Sequence, residues 1–153
     1  MRLRRLAVLL VVALGLGCAH QRAAASADSL KTSQESFFRF LRWTVLRDAS
    51  QILVPESQHD WLEKALDAKD EDNLKVIDYE LDDLQLHDKG TATTVTRITW
   101  HRLPSVTTKN DRVTAEWVER GGTWYVKSIK NGPLPLEAAP EPPPSVDGGA
   151  AAP

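Results

Sequence analysis

The fold is decided by the stretch Arg112-Val113-Thr114-Ala115-Glu116-Trp117-Val118-Glu119-Arg120-Gly121-Gly122-Thr123-Trp124-Tyr125-Val126-Lys127-Ser128-Ile129. Apolar and polar side chains alternate on both sides of Gly121-Gly122, which is the period of a half-buried strand. Paired glycines adopt the positive φ angles of a two-residue hairpin loop without steric cost. With that loop, Arg120 pairs with Thr123, Trp117 with Val126 and Glu116 with Lys127. One face then gathers Val113, Ala115, Trp117, Trp124 and Val126, and the opposite face carries the Glu116/Lys127 charge pair.

Two more strands are expected upstream. The stretch from Thr91 to Arg102 is rich in Thr, Val, Ile and Trp and stops before Pro104, which cannot donate to a ladder. Asp88-Lys89-Gly90 reads as the turn before it. Ile77, Tyr79 and Leu81 alternate with Asp78, Glu80 and Asp82, and the apolar phase then moves by one at Leu84 and Leu86. A one-residue shift of phase predicts a bulge near Asp82-Asp83.

Further upstream the period becomes helical. Thr32 followed three residues later by Glu35 has the spacing of a capping box, and Phe37, Phe38, Leu41, Val45 and Ala49 share one stripe. This predicts an amphipathic helix ending near Ala49, against which the Trp-rich sheet face packs. Ser57 and Asp60 offer a second start, and Trp61, Leu62, Ala65 and Leu66 predict a shorter helix from about Gln58 to Ala68. Two helices followed by four antiparallel strands, with the helices on one face, describe an α+β domain.

The ends of the chain have a different character. Met1-Arg2-Leu3-Arg4-Arg5 is basic, Leu6 to Leu16 is an uncharged apolar run, and Gly17-Cys18-Ala19 follows. Eleven residues cover about 16 Å as a helix, roughly half of a bilayer's hydrocarbon core, so the run has the length of a signal peptide rather than a span. Residues 19–29 lack hydrophobic periodicity and read as a tether. Residues 135–153 are rich in Pro, Ala and Gly, a composition that buries no core. The resulting division is 1–17 leader, 18–29 tether, 30–134 folded domain and 135–153 tail.

The N-terminal pattern resembles that of bacterial lipoprotein precursors. In that family the peptide bond between the residues here at Gly17 and Cys18 is cleaved, and the Cys18 thiol carries the lipid. The chain has Gly15 where the family usually has leucine. The resemblance implies a membrane anchor at Cys18, and Ala19 after it implies the outer membrane, facing the periplasm, in a cell with two membranes. Loss of Arg2, Arg4 and Arg5 with the leader takes the formal charge from −2 to −5. An acidic chain disfavours electrostatic binding to nucleic acid.

The order of elements, ending in Gly122-Thr123-Trp124, also resembles the nuclear transport factor 2-like superfamily, the cystatin-like cone, and especially small bacterial lipoproteins of that type. The resemblance implies a curved sheet wrapped around the helices. Some members of that superfamily are isomerases or dehydratases with an Asp base beside Tyr or His in the cone. No such motif can be placed here residue by residue, and Tyr79, Asp83 and His101 are the loosely suggestive types on the sheet. Trp100, Trp117, Trp124 and Tyr79 are the candidate lining of a pocket, because aromatic faces suit apolar ligands, although tryptophans more often fill a core.

Among the remaining candidates, His59, Asp60, Glu63 and Asp67 include an i, i+4, i+8 set that reads better as a solvated helix face than as a metal site. A single Cys excludes intrachain disulfides and multi-cysteine zinc sites. No nucleophile elbow, phosphate loop or dinucleotide fingerprint is present. The expectation is a non-enzymatic, lipid-anchored envelope protein with no cofactor, which binds a partner protein or a small hydrophobic ligand. A cone-type isomerase or hydratase is one alternative, and an assembly subunit that forms a homodimer through a sheet face is another.

Overall fold

A computed structural model describes residues 26–105 and 107–138. Cys18, Gly17 and most of the expected tether and tail lie outside these residues. The first helix, α1, is helical over 26–42, so the helix already includes residues 26–29 that the sequence assigned to the tether. Its buried stripe is Leu30, Gln34, Phe37, Phe38 and Leu41, the 3-4 spacing of a helix with one side against a core.

The expected long helix ending near Ala49 is two helices. Thr32 is no cap: it lies inside α1, where its hydroxyl donates to the Asp28 carbonyl at 2.9 Å. The break is a Schellman turn, with Val45 N–H donating to Phe40 O at 2.9 Å and Thr44 N–H to Leu41 O at 3.1 Å. This turn requires a left-handed residue, and Thr44 supplies it with φ 59°. The break swings Val45 outward, leaving it 39% exposed instead of on the apolar stripe. Helix α2, Leu46–Ser50, follows and buries Leu46 and Ala49.

A 3-10 turn at Pro55–Ser57 leads into α3, Gln58–Asp70, two residues longer than the sequence indicated. Ser57 sits at the N-cap but makes no side-chain capping bond. Helix α3 buries Trp61 and Ala65, and the Trp61 ring lies 5.9 Å from that of Phe37.

The four strands β1 (Leu74–His87), β2 (Thr91–Arg102), β3 (Lys109–Arg120) and β4 (Thr123–Lys130) form an antiparallel meander in the order β1-β2-β3-β4. The predicted hairpin has its predicted register at Arg120↔Thr123 and Trp117↔Val126. Beyond Trp117 the register shifts, so Glu116 pairs with Ser128 and not with Lys127. Strand β1 is irregular near Asp82, as its phase shift foretold, and also between Val76 and Asp78. The second irregularity puts Val76 in the core and leaves Ile77 37% exposed, out of the alternation expected to join it to Tyr79 and Leu81.

The inner sheet face carries Ala92, Thr94, Thr96, Ile98 and Trp100 of β2 with Val113, Ala115 and Trp117 of β3, all buried. It packs on α1 through Phe37 and Phe38, which share their surroundings with Val76, Ile98 and Val113. Two polar contacts pin this layer: Gln34 Nε2 donates to Thr96 Oγ1 at 3.0 Å, and Trp117 Nε1 donates to Thr94 Oγ1 at 2.9 Å. The space left between α1 and the sheet is about 10 Å³, the volume of a single water site.

After β4 the chain reverses through Asn131 and Gly132, both at positive φ. A Cβ on Gly132 would stand 2.7 Å from Val113 Cγ2, so the close approach of backbone to core requires glycine here. The reversal brings Leu136 back alongside Ile129 as an antiparallel bridge. Ordered chain therefore extends past the predicted domain end at 134.

Candidate functional site

Each residue singled out as pocket lining is held in the packed interior or at its margin. Trp117 and Trp124 are 1% and 2% exposed. Trp100 is buried, its Nε1 donates to Asp111 Oδ2 at 2.7 Å, and Lys109 Nζ lies 4.9 Å from its ring centre. Tyr79 is half-buried and stacks on Phe38 with centroids 5.8 Å apart. None of the four lines the clefts described below. They fill the domain because the alternation that places them inward also places α1 against them.

The suggestive catalytic types do not meet. Tyr79 pairs with Ile98 and shares the inner face, whereas Asp83 pairs with Val95 and His101 with Lys75. Val95 and His101 are six residues apart on one strand, roughly 20 Å. The Asp83 carboxylate accepts from the Leu84 N–H at 2.9 Å and from Gln85 Nε2 at 2.7 Å. His59 and Glu63 form an exposed i, i+4 contact at 3.5 Å. Among the described residues, no three side chains of metal-ligating type come together.

The outer sheet face carries an ion cluster that the sequence reading missed. Asp82, at the β1 bulge, accepts from Arg97 Nη2 at 2.7 Å through one oxygen, and from Arg112 Nε and Nη2 at 3.1 Å through the other. Arg97 also reaches Glu80 at 3.2 Å. The Asp82 side chain is only 11% exposed, a low value for a carboxylate on an open face. The signal for this cluster was the bulge itself together with Arg97 and Arg112 at outward positions of neighbouring strands.

Two clefts of note lie at the surface of the described residues. One, of about 360 Å³, is bordered by Thr44, Lys69, Asp70, Asn73, Leu74 and Lys75. The other, of about 310 Å³, lies between the start of α3 and the returning 135–138 segment, with Glu56, Asp60, Trp61, Lys64, Leu136 and Glu137 among its walls. Trp61 is 2% exposed, and its Nε1–H has no acceptor among the described residues. Glu56 is held in its charged form below the usual carboxylate range by a backbone N–H and then by Arg120, whose Nη1 lies 3.1 Å from Oε1.

No protein family and no curated protein matches the chain. Its fold is similar to the solution structure of a SEC-C motif containing protein from Rhodopseudomonas palustris, with TM-score 0.57 at 10% identity, over 70% of this chain and 81% of that one. At such identity the likeness concerns the fold alone, and the α+β architecture is the property the two chains share.

Proposed function

We propose that the protein is a lipid-anchored component of the cell envelope, of non-enzymatic type, whose domain binds a partner protein through its surface. The anchor reading rests on the basic start, the apolar run from Leu6 to Leu16 and Gly17-Cys18. Among the described residues no helix is long and apolar enough to cross a membrane, and in this reading the attachment is the lipid on Cys18. The domain itself we read as a nuclear transport factor 2-like cone whose interior is filled. In that reading it sits at the outer membrane, on the periplasmic side.

The observation that carries the choice of a surface over a cavity is the space between α1 and the sheet, about 10 Å³, against the roughly 300 Å³ or more typical of a small-molecule pocket. That volume weighs equally against an apolar ligand held inside the cone and against an isomerase or hydratase working there. An enzyme of that kind also needs an acid and a base within reach of one substrate. Tyr79 is on the opposite sheet face from Asp83 and His101.

Metabolic labelling with a palmitate analogue tests the anchor. Label is expected on the wild-type protein and absent from Cys18→Ser. Label retained by Cys18→Ser would refute the assignment.

A further inference from the structure

The end of the domain where α1 meets α2 exposes apolar surface that the fold does not use. Trp43 is 71% exposed, the most open large apolar side chain among the described residues. Val45 is exposed beyond the Thr44 turn, and Leu103, also exposed, donates its N–H to the Asn73 carbonyl at 3.4 Å. Thr44 and Asn73 border one cleft, so Trp43, Val45 and Leu103 belong to the same end of the molecule. Single apolar residues are ordinary on a surface, whereas a set gathered around a tryptophan marks a place that something covers.

The charge beside this patch is basic. Arg39, Arg42 and Arg47 are exposed, and residues 39–47 contain no carboxylate although the whole chain is acidic on balance. Glu35 and Asp48 bracket that stretch, and Arg42 reaches Asp78 at 3.4 Å. Lys69 and Lys75 add two ammonium groups beside Thr44, with Asp70 offsetting the first. An indole among long basic side chains suits the headgroup level of a bilayer. The ring faces the acyl chains, the basic heads face lipid phosphates, and the aliphatic stems lie between them.

We infer that this end of the domain docks on the bilayer holding the Cys18 lipid, with Trp43 inserted among the headgroups. The length of chain before α1 argues for that occupant. Eight residues lead from Cys18 to the start of α1 at residue 26, and they reach at most about 28 Å. Helix α1 is about 25 Å long, so with α1 lying along the bilayer the lipid and Trp43 meet one surface. A domain tethered so closely encounters that surface at high effective concentration, and a contact of modest affinity suffices. A second copy docking two-fold through the same patch would set arginine against arginine. The inference rests on the anchor reading above and adds an orientation to it.

The test uses the lipidated protein reconstituted in vesicles of phosphatidylethanolamine and phosphatidylglycerol whose acyl chains carry bromine near the headgroup. Bromine quenches indoles that reach the acyl chains, and Trp61, Trp100, Trp117 and Trp124 are at most 6% exposed within the fold. Relative to unbrominated vesicles of the same lipids, emission is expected to fall in the wild type and to stay unchanged in Trp43→Phe. Arg39→Gln/Arg47→Gln, altered at exposed positions, should be quenched less than the wild type. Flotation on a density gradient reports the anchor separately. Wild-type protein that floats yet is quenched no more than Trp43→Phe overturns the inference and leaves the anchor standing, whereas protein that does not float overturns both. Trp43 shielded from aqueous iodide but unaffected by bromine would assign the patch to a second copy and overturn the inference, as would quenching unaltered by the arginine changes.

Discussion

The two edges of the sheet are managed in opposite ways. At β4 the chain covers its own edge twice: Val54 N–H donates to Val126 O at 3.0 Å and Val126 N–H to Ile52 O at 2.9 Å, while Ile129 and Leu136 exchange bonds of 2.8 and 2.9 Å. At β1 no segment of the described chain adds a further strand. That edge instead has two irregularities and carries Asp78, Glu80 and Asp82, each held by an arginine. An uncovered strand edge is a template for unwanted pairing, and bulges with charges blunt it. The contrast teaches that the β4 edge is part of the domain's core, whereas bulges and charges make the β1 edge a poor template for a further strand.

The largest test of this contrast removes one apolar side chain at each edge. Leu53, 0% exposed, lies in the segment that bridges to Val126, and Ile77, 37% exposed, is the contrasting apolar residue on β1. Leu53→Ala should destabilise the domain by about 2–5 kcal/mol, from lost transfer free energy plus an unfilled cavity. Ile77→Ala should cost no more than about 0.5 kcal/mol. Urea unfolding followed by tryptophan fluorescence measures both, and equal losses would mean that the β4 covering is not part of the core.

The contrast also shows what could be read from the chain. The β3-β4 hairpin was legible because Gly121-Gly122 and the alternation around it are local, and the first β1 bulge was legible as a phase shift. The Leu53 bridge was not, since its partner Val126 is far away in sequence and nothing near Ile52-Leu53-Val54 marks an edge-covering segment. The α1 break escaped because its left-handed position is occupied by Thr44 rather than glycine or asparagine, the residues that usually announce such a turn. The candidate cleft was hidden for a related reason. Its walls come from 56–64 and 135–138, and the proline-rich composition after Leu134 reads as a tail although Leu136 returns to the sheet.

A middle-sized effect is expected at the open edge. Asp82 joins Arg97 and Arg112, so Asp82→Ala leaves two guanidinium groups facing each other without their shared acceptor. Hydrogen bonds to charged groups contribute more than neutral ones, and the expected loss is about 1–3 kcal/mol in low salt. Raising the salt should narrow the difference between the variant and the wild type, because the pairs are only partly shielded from solvent. Urea midpoints at two ionic strengths check this, and a loss indifferent to salt would assign Asp82 a packing role instead.

The smallest effect belongs to the charge pair beside the covered edge. Glu116 accepts from Lys130 Nζ at 2.8 Å, and this bond foremost holds its carboxyl below the usual range, against a smaller opposing contribution from burial. A carboxyl whose folded pKa is depressed stabilises the fold above its unfolded pKa, and that contribution is lost as pH falls through the folded value. The window therefore lies below about pH 4.5. The Glu116 side chain is 40% exposed, so solvent screening limits the contribution to a few tenths of a kcal/mol. Glu116→Gln should accordingly lose slightly less stability than the wild type between pH 6 and pH 3, as read from paired urea titrations. Equal losses in Glu116→Gln and the wild type would mean that the Lys130 bond adds nothing to the covered edge.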